Sequence, residues 1–584
     1  MPPTVERARF TTRETAVAAA LLTLLALVQA GPILRGWRLL GAWDWNKETF
    51  FAEVQRDEIL RYRQLPLWDP YAYGGQPGLA HPESSCLGPS FLLLVLPFGS
   101  ALGLKLKIVS ALAAGSLGAW VLGRAEGVSG LAAYLLAGSF MLSGFFALHF
   151  WIGHSMWAAG ALIPWLLLVL RHGRHPSLAT VAAGAILAVM VFEGAIYILM
   201  FSVLLCALLQ GLESARTRRA GPLLWTAAAV VLGLGLAGVK LFPMLDFMAR
   251  NQRTFVVHHA KGFNPLGMTG FHLLYVGFLF SSYSTHLPFE DGAYLGVVPA
   301  ALAVVGAVVS ARRRWPWIAT GAAFIVVAMG DGGVPGLWSE LRRLPVLQQT
   351  IFPQRYLLGA LLPVALAAAE GVDWLRRRAG HLGAVVAILG VVVTLADLTA
   401  NNVGVYAGMF TAAPPPLTWS GQLRGQVHSP SDYDMLGPYR AGFGVLNAHP
   451  YLPHMRPQAL ALDDPAYRGE LVATGGTATL ASWTPNVVRV RVAAPAGAVR
   501  VVLNQNAAPG WEVEGAGSAL DLDSARLAFT ATSDGVVTLR YRPPFLLVGL
   551  ASTAMALIAC AGLAVGRRGR PAAPDAAPNH RSAR

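Results

Sequence analysis

Long apolar runs, separated by short polar segments, occupy most of the chain. A run of about 17–25 apolar residues is long enough to cross a lipid bilayer as a helix. The pattern predicts about twelve spans, at 14–34, 90–122, 128–149, 156–170, 177–192, 195–211, 221–244, 293–311, 315–330, 356–375, 381–398 and 545–566. The run at 90–122 is longer than one span requires, so we expect it to include a re-entrant piece.

Near the C-terminus the pattern changes from long apolar runs to short alternating segments. Residues 487–492 run V-V-R-V-R-V, close to the period of two that a half-buried strand shows. Further strands are predicted at 499–503, 520–522, 527–532 and 536–541, with turn residues between them. Together they predict a small antiparallel β-sandwich in front of the last span.

Arginine clusters follow alternate spans, which gives the predicted map an orientation. They comprise Arg7, Arg9, Arg13, Arg124, Arg171, Arg174, Arg216, Arg218, Arg219, the runs 312–314 and 376–378, and Arg567, Arg568 and Arg570. Loops rich in Lys and Arg face the cytoplasm. Both termini are therefore expected in the cytoplasm, with three large segments outside the membrane, at 35–89, 245–292 and 399–544.

Composition excludes several classes of protein. Hydrophobic residues make up 54% of the chain and charged residues 13%, against about 25% charged residues in soluble domains. The net charge of +14 is assigned to cytoplasmic loops rather than to binding of nucleic acid. One G-x-G-x-x-G match, at 233–238, lies inside an apolar run, so we interpret it as close helix packing and not as a nucleotide site.

The first outer segment holds the strongest candidate for chemistry, the sequence W-D-W-N-K-E at 43–48. Asp44 and Glu48 are four residues apart, so on a helix they share one face. A carboxylate at this place is a candidate general base with a raised pKa. The alternative is structural: Trp43 and Trp45 form an interfacial belt, and Asp44 caps a helix.

The same segment continues with L-P-L-W-D-P-Y-A-Y-G-G-Q-P at 65–77. Such a density of aromatic, Pro and Gly residues predicts a shaped, rigid loop. Tyr71 and Tyr73 are candidates for contacts with a sugar or a lipid headgroup. A loop that merely lies on the bilayer would have the same composition.

Polar residues at the outer ends of other spans are further candidates. His154 precedes the fourth span. Glu193, between two apolar runs, is either a functional group at membrane depth or an exposed loop residue. Arg355 lies beside Gln354 in F-P-Q-R-Y at 352–356, and its planar fork matches phosphate oxygens. The alternative for Arg355 is that it snorkels to lipid phosphates.

Metal ligation is weakly indicated. The sequence has no zinc spacing such as H-E-x-x-H. We therefore assign no metal ligand and no required cofactor. A divalent metal ion held by scattered histidines and carboxylates stays open as an alternative.

The order of these segments resembles the YfhO-like family of bacterial membrane proteins, which is grouped with the GT-C glycosyltransferases. The resemblance extends from about residue 40 to 566. Besides the acidic residue after the first span, it rests on 65–77, G-H at 153–154, W-x-x-G-x-L-x-P-W at 157–165, K-L-F-P at 240–243, A-Y-L-G at 293–296, F-P-Q-R-Y at 352–356 and P-G-W at 509–511.

The resemblance implies a GT-C-like, polytopic α-helical core at 1–398 in the inner or plasma membrane of a bacterium. An extracytoplasmic, largely β domain at 399–544, a final helix at 545–566 and a disordered cytoplasmic tail at 567–584 would follow. It also implies an inverting glycosyltransferase. The sugar would pass from a polyprenyl-phosphate-linked donor to an extracytoplasmic acceptor, which is a cell-envelope glycan, a glycolipid or a protein.

The resemblance implies a role for each candidate residue. Asp44 becomes the general base, although this chain has Trp43 where the family often has glycine. Arg355 becomes the ligand of the lipid phosphate. The remaining substrate-binding candidates are Glu48, Tyr71, Tyr73, His154, Glu193 and Gln354. Two alternatives stay open: a transporter or flippase, and a non-catalytic scaffold for envelope assembly, in which Asp44 and Arg355 are dispensable.

Overall fold

The structure is a computed structural model. It describes residues 11–251, 290, 292–344, 347–419, 421–449, 453–495 and 497–565. Most of the predicted outer loop 245–292 and all of the predicted tail 567–584 lie outside the described residues.

Helices form most of the chain, because a helix satisfies its own backbone hydrogen bonds where lipid offers none. The first half of the chain contains α1 (Thr12–Gln29), α2 (Gly31–Arg35), α3 (Asp44–Leu60), α4 (Leu96–Phe98), α5 (Ser100–Ala125), α6 (Gly130–Met141), α7 (Gly144–Ile152), α8 (Ile163–His172), α9 (Pro176–Phe192), α10 (Ile196–Thr217), α11 (Gly221–Leu236) and α12 (Gly238–Arg250). The second half contains α13 (Val297–Ala328), α14 (Leu337–Leu341), α15 (Leu357–Arg378), α16 (Gly380–Ala407), α17 (Leu436–Arg440) and α18 (Leu546–Val565). Shorter turns of π or 3₁₀ type lie at Phe91–Val95, Ser155–Leu162, Leu347–Gln349 and Pro353–Tyr356.

Eight helical stretches among the described residues are long and apolar enough to cross a membrane. They are Thr12–Gln29, Ser100–Ala125, Gly130–Ile152, Ser155–His172, Ile196–Thr217, Pro353–Arg378, Gly380–Ala407 and Leu546–Val565. Each coincides with one of the predicted spans. The membrane character of the chain is therefore confirmed, whereas the predicted count of about twelve is not.

The other four predicted spans have different geometries. Helix α9 has 17 residues, and the predicted span 221–244 is divided into α11 and α12, which meet at a bend of 83°. The predicted eighth and ninth spans, 293–311 and 315–330, both fall within α13, a helix of 32 residues. The sequence pattern did not predict the bend between α11 and α12.

Helix α13 packs along α15. In its first half, Gly306 packs against the backbone of Ala367 and Gly371 in α15. In its second half, Gly321 packs against Pro363 of α15, and Gly359 of α15 packs against Phe324. Both halves are therefore held against the same helix, and their division into two spans stays a prediction.

Glycines bring several helices into close contact. A Cβ atom on Gly233 of α11 would lie 2.8 Å from the carbonyl oxygen of Gly184 in α9. A Cβ atom on Gly238 of α12 would lie 2.8 Å from the carbonyl oxygen of Gly549 in α18. The G-x-G-x-x-G match therefore serves helix packing, as the sequence analysis proposes.

Short strands join the first outer segment to the region after α16. Strands β1 (Leu40–Gly41), β2 (Trp68–Asp69), β3 (Gln76–Pro77), β4 (Phe410–Ala412), β5 (Gly425–Val427) and β6 (Phe443–Val445) form three two-stranded ladders. In these ladders β1 pairs with β4, β2 with β3, and β5 with β6. The first ladder links residues almost four hundred positions apart in the chain.

A β-sandwich follows. Its strands are β7 (Leu471–Thr474), β8 (Thr477–Thr484), β9 (Val487–Ala493), β10 (Val499–Asn506), β11 (Trp511–Glu514), β12 (Ala519–Leu520), β13 (Arg526–Ala531) and β14 (Gly535–Tyr541). They form two four-stranded antiparallel sheets, β12-β13-β10-β7 and β11-β14-β9-β8, around one apolar core. Alternation along β9 buries Val488, Val490 and Val492, because every second side chain faces the core. Trp68 from the first outer segment is part of that core.

Several ion pairs lie at the helix ends that are remote from α3. Helix α5 starts at Ser100, which donates a hydrogen bond to Glu53 of α3, and it ends beside Glu126. Glu126 accepts hydrogen bonds from Arg171 and Arg314, and Arg314 also contacts Glu370 at 2.9 Å. Arg171 and Arg314, which belong to two of the arginine clusters that predicted the orientation, therefore meet at the end of the helix layer opposite α3.

Candidate active site

Asp44 is the first residue of α3, and Trp43 is its N-cap residue. The alternative that Asp44 caps the helix is therefore wrong. Trp43 has φ 57° and ψ −129°, a conformation that glycine adopts most easily. This geometry explains why glycine suits the position in the family that the sequence resembles. Trp45 is fully buried and donates a hydrogen bond to the Phe150 carbonyl at 2.8 Å, so it does not form an interfacial belt.

A close backbone contact holds Asp44 next to the end of α7. Gly153 has φ 111°, and a Cβ atom there would lie 2.8 Å from the Cβ atom of Asp44. Only glycine permits this approach without displacing α3. His154 follows directly, and its Nε2 lies 3.4 Å from Asp44 Oδ2. The sequence pair Gly153–His154 is thus placed against Asp44.

Lys47 lies at the centre of a group of three carboxylates. Its Nζ lies 2.8 Å from Glu83, 3.4 Å from Glu48 and 3.6 Å from Asp44. The lysine side chain is 2% exposed, so water contributes almost nothing to solvating its charge. Glu48 also accepts a hydrogen bond from Ser155. We call Asp44, Lys47, Glu48 and Glu83 the carboxylate cluster.

The cluster gives Asp44 and Glu48 opposite pKa shifts. Burial alone raises the pKa of Asp44, but Lys47 and His154 together hold it well below its ordinary range. Burial raises the pKa of Glu48, since Lys47 only partly offsets it and Glu83 adds to it. The expectation that Asp44 has a raised pKa is therefore wrong. Asp44 is the ionised carboxylate, and Glu48 is the one that retains a proton more easily.

Histidines extend the site from Asp44 in two directions. The Nδ1 atoms of His154 and His149 are 3.0 Å apart, so one donates a hydrogen bond to the other. When His154 donates from Nε2 to Asp44, its Nδ1 accepts from His149. On the other side, His449 donates from Nε2 to the Tyr433 carbonyl at 3.2 Å, and its Nδ1 lies 3.8 Å from Asp44 Oδ1. Asp44 is thus flanked by two imidazoles.

Arg355 is partly buried, within electrostatic reach of Asp44, and pairs with an acidic residue that the sequence did not reveal. Its Nε lies 2.9 Å from Glu290 Oε2, and its Nη2 also donates to Glu290. Among the described residues, none accepts a hydrogen bond from Nη1. The guanidinium lies over the ring of Tyr197 at 5.2 Å, and its charge interacts with that of Asp44. Gln354, next in the chain, is buried.

A small cavity lies beside these groups. Its volume is about 50 Å³, and its lining includes Glu83 of the carboxylate cluster, Met156 and Tyr197. Tyr197 contacts Arg355 and Glu83 contacts Lys47, so the cavity adjoins both the acidic and the basic parts of the site.

Glu193 is buried and not in an exposed loop. It is 7% exposed, forms an ion pair with Lys107 at 3.1 Å and accepts a hydrogen bond from the Ser90 backbone at 2.7 Å. The charge of Lys107 also acts on Glu48. Glu193 therefore contacts the candidate site through Lys107.

Tyr71 and Tyr73 do not line the site. Both are 1% exposed. Tyr71 packs edge-on against Trp419, and Tyr73 stacks on His454 at 4.3 Å. The prediction that they contact a sugar or a headgroup is therefore wrong in this structure. Tyr73 instead donates a hydrogen bond to the carbonyl of His449 at 3.1 Å and so supports a residue that faces Asp44.

Several residues of the site were missed from the sequence, namely Lys47, Glu83, Lys107, Glu290 and His449. Lys107 lies inside a predicted apolar span, and a lysine at such a position signals a buried partner. Glu290 and His449 come from distant segments that no local pattern connects to Asp44. Among the described residues, no group of three or more His, Cys, Asp or Glu has the geometry of a metal site.

No protein-family model matches the chain, and no curated protein matches it. Among solved structures, arabinofuranosyltransferase AftD from Mycobacteria matches with a TM-score of 0.43 and 16% identity, over 75% of this chain and 32% of that chain. ArnT from Cupriavidus metallidurans, bound to undecaprenyl phosphate, matches with a TM-score of 0.39 and 14% identity, over 74% and 86%. The oligosaccharyltransferase of Archaeoglobus fulgidus, in complex with Zn and sulfate, matches with a TM-score of 0.39 and 13% identity, over 74% and 62%. Likenesses this weak establish neither the activity nor the family of this chain, which also spans only about a third of AftD.

Replacement of Lys47 by methionine is expected to destabilise the protein strongly. Lys47→Met keeps the length of the side chain but leaves Asp44, Glu48 and Glu83 without their shared cation. Breaking a buried ion pair in this way costs about 3–5 kcal/mol. Thermal unfolding in detergent should show a large fall in Tm. The control is Arg343→Met, whose ion pair with Glu340 is exposed. An equal, small effect of both substitutions would contradict the account.

Stability is expected to fall on acidification, in part through His449. Burial lowers the pKa of His449 from 6.5 to about 4. Between these values the unfolded chain binds a proton that the folded protein does not, so the contribution of His449 is present above pH 6.5 and lost towards pH 4. His449→Asn should make Tm less dependent on pH in this window. Asparagine tolerates the φ of 48° at this position. An unchanged slope would contradict the assignment.

Proposed function

We propose that this protein is a membrane glycosyltransferase. It transfers a sugar from a polyprenyl-phosphate-linked donor to an extracytoplasmic acceptor, which is an envelope glycan, a glycolipid or a protein. The observation that carries the proposal is the arrangement of Asp44 and Arg355. An ionised carboxylate and a guanidinium from different segments of the chain interact electrostatically, and a cavity lined by Glu83 and Tyr197 lies beside them.

An apolar groove supports the proposal that the donor is linked to a lipid. It lies between α13 and α15 and has a volume of about 370 Å³. Its lining consists of apolar residues, among them Leu295 and Leu357 at the end nearest the site. Leu357 is two residues from Arg355. A polyprenyl chain in this groove would present its phosphate to Nη1 of Arg355.

The chemistry follows from the charges. The acceptor hydroxyl attacks the anomeric carbon of the sugar, the bond from that carbon to the phosphate oxygen breaks, and polyprenyl phosphate leaves with the electron pair. Asp44 takes the hydroxyl proton, and its contact with His154 orients the carboxylate. Arg355 meets the charge on the leaving phosphate. A single displacement inverts the anomeric centre.

The lowered pKa of Asp44 bears on its proposed role as the general base. A carboxylate whose pKa is lowered by Lys47 and His154 is ready as a proton acceptor over a wide range of pH. It is a weak base, which suits a reaction whose leaving group departs early and makes the hydroxyl proton acidic. Glu48, with its raised pKa, is the alternative base at the same site.

The proposed orientation places α3 and the β-sandwich outside the membrane. Both termini lie in the cytoplasm, because the paired arginines around Glu126 and Glu370 meet at the opposite end of the helix layer. The protein would thus be integral to a bacterial inner or plasma membrane. Its partners are the lipid-linked donor, the acceptor and the surrounding lipids, not nucleic acid.

Sugar transfer by the purified full chain tests the proposal. Radiolabelled polyprenyl-phosphate sugars are supplied to wild type, Asp44→Asn and Arg355→Lys in detergent. Asp44→Asn is expected to lower kcat by a factor of about 10²–10⁴, the usual contribution of a general base. Arg355→Lys is expected to raise KM for the donor, because lysine lacks the planar fork that holds Glu290 on one edge and leaves Nη1 for the phosphate. Asp463→Asn, at an exposed acidic residue of the outer region, is the matched control.

Three outcomes separate the alternatives. Turnover that persists in Asp44→Asn but disappears in Glu48→Gln would move the base to Glu48. Donor binding without turnover in wild type would favour the scaffold. Movement of the intact donor across a vesicle membrane, without transfer, would favour the flippase.

A further inference from the structure

A second polar site lies at the far end of α3. A cavity of about 10 Å³, the space of one water molecule or one monatomic ion, separates α3 from the ladder of β2 and β3. Its polar lining comprises Gln55, Glu58, Asp69, Gln76 and His81. Glu58 is fourteen residues after Asp44, about 21 Å along the helix. The cavity is therefore separate from the candidate active site.

Helix periodicity and strand pairing explain why these side chains lie close together. Gln55 and Glu58 are three residues apart, so they share one face of α3. Asp69 and Gln76 are direct partners in the antiparallel ladder, so they lie side by side. The face of the helix and the pair on the ladder then oppose each other across the cavity.

Most of the polar atoms around the cavity have no partner among the described residues. They are both carboxylate oxygens of Glu58, both amide atoms of Gln76 and Oε1 of Gln55. Gln55 is 5% exposed, and Glu58 and Gln76 are each 1% exposed. Buried polar atoms without partners are rare in folded proteins, because each loses its hydration without compensation. Three such side chains around one cavity indicate a bound species.

The side chains that line the cavity indicate whether the bound species is a cation or an anion. The side chains of Glu58 and Asp69 each bring a carboxyl group to the lining. His81 offers no positive charge. Its Nε2 donates to the Pro453 carbonyl at 3.1 Å, and its Nδ1 accepts from the Glu83 backbone at 3.2 Å. Two carboxyl groups thus face a cavity whose lining contains no lysine or arginine.

We propose that this cavity binds one divalent cation, Ca²⁺ in preference to Mg²⁺, through the carboxylates of Glu58 and Asp69 and the amide oxygens of Gln55 and Gln76. Two carboxylates balance the charge of the ion. Side-chain carboxylate and amide oxygens are ligands that Ca²⁺ accepts in flexible geometries, and it gives up its waters more readily than Mg²⁺ does. Mg²⁺ retains several of its waters, and a cavity of about 10 Å³ has no space for them.

The ion would hold two parts of the first outer segment in place against each other. It joins α3 to the ladder whose Trp68 lies in the core of the β-sandwich. The loop of that ladder carries Tyr73, which bonds His449 beside Asp44. The cation therefore supports the position of the candidate base from a distance, and it does not contact substrate.

Equilibrium dialysis of the full-length protein in detergent, stripped with EGTA, against ⁴⁵Ca²⁺ is the test. Wild type is expected to bind one Ca²⁺ per chain more tightly than Mg²⁺, and its Tm should rise with the free Ca²⁺ concentration. Glu58→Gln with Asp69→Asn removes both negative charges and should abolish both effects. Glu340→Gln with Asp463→Asn removes the same charge at exposed residues and should bind Ca²⁺ as wild type does.

The result can overturn the proposal without any assay of sugar transfer. Absence of Ca²⁺ binding by wild type, or unchanged binding in the double variant, would refute it. Should the double variant fail to fold, Gln76→Leu keeps both carboxylates and removes one ligand. It is expected to weaken Ca²⁺ binding by about tenfold or more; equal binding would refute the site. Affinity should also fall on acidification, since protons compete for Glu58 and Asp69.

Discussion

The buried ammonium of Lys47 is the interaction on which the rest of the site depends. A charge with 2% exposure is costly unless carboxylates surround it. Asp44 and Glu48 supply two of them from α3, and Glu83 supplies the third from the chain after β3. Helix α3 and the segment after β3 are therefore held together by one cation. The close approach at Gly153 then adds His154 to the same point.

The same cation separates the chemical states of two neighbouring carboxylates. It keeps Asp44 ionised, while burial and Glu83 keep the pKa of Glu48 raised. Two carboxylates in different states, with Arg355 within electrostatic reach, are what a transfer from a phosphate-linked donor requires. The apolar groove along α15 begins at the same level of the molecule, so polar and apolar parts of one lipid-linked substrate can be accommodated together.

The sequence predicted those features that depend on local periodicity. Eight spans, strands β9, β10, β12, β13 and β14 of the β-sandwich and the shared face of Asp44 and Glu48 all follow from a period of 3.6 or 2 residues. Strands β7, β8 and β11 were not predicted. The sequence could not show which distant groups meet. Glu290 pairs with Arg355 across 65 residues, and a part of that interval lies outside the described residues. The pKa of Asp44 depends on partners of this kind. The sequence analysis therefore predicted that this pKa is raised, whereas in the structure it is lowered.

Aromatic residues in the first outer segment illustrate the same limit. The composition of 65–77 indicates a rigid loop but not what covers it. In the structure, Trp68 enters the core of the β-sandwich, and Tyr71 packs against Trp419, so the aromatic rings support the fold. A pattern of residues alone does not distinguish a loop that faces substrate from one buried under another part of the chain.

The most direct test of the account is a structure of the protein in lipid nanodiscs with a polyprenyl phosphate bound. The account predicts phosphate density beside Nη1 of Arg355 and the polyprenyl chain in the groove between α13 and α15. Asp44 would then face the phosphate across the cavity that Glu83 and Tyr197 line. A phosphate bound at the arginine clusters around Glu126, or a polyprenyl chain outside the groove, would contradict it.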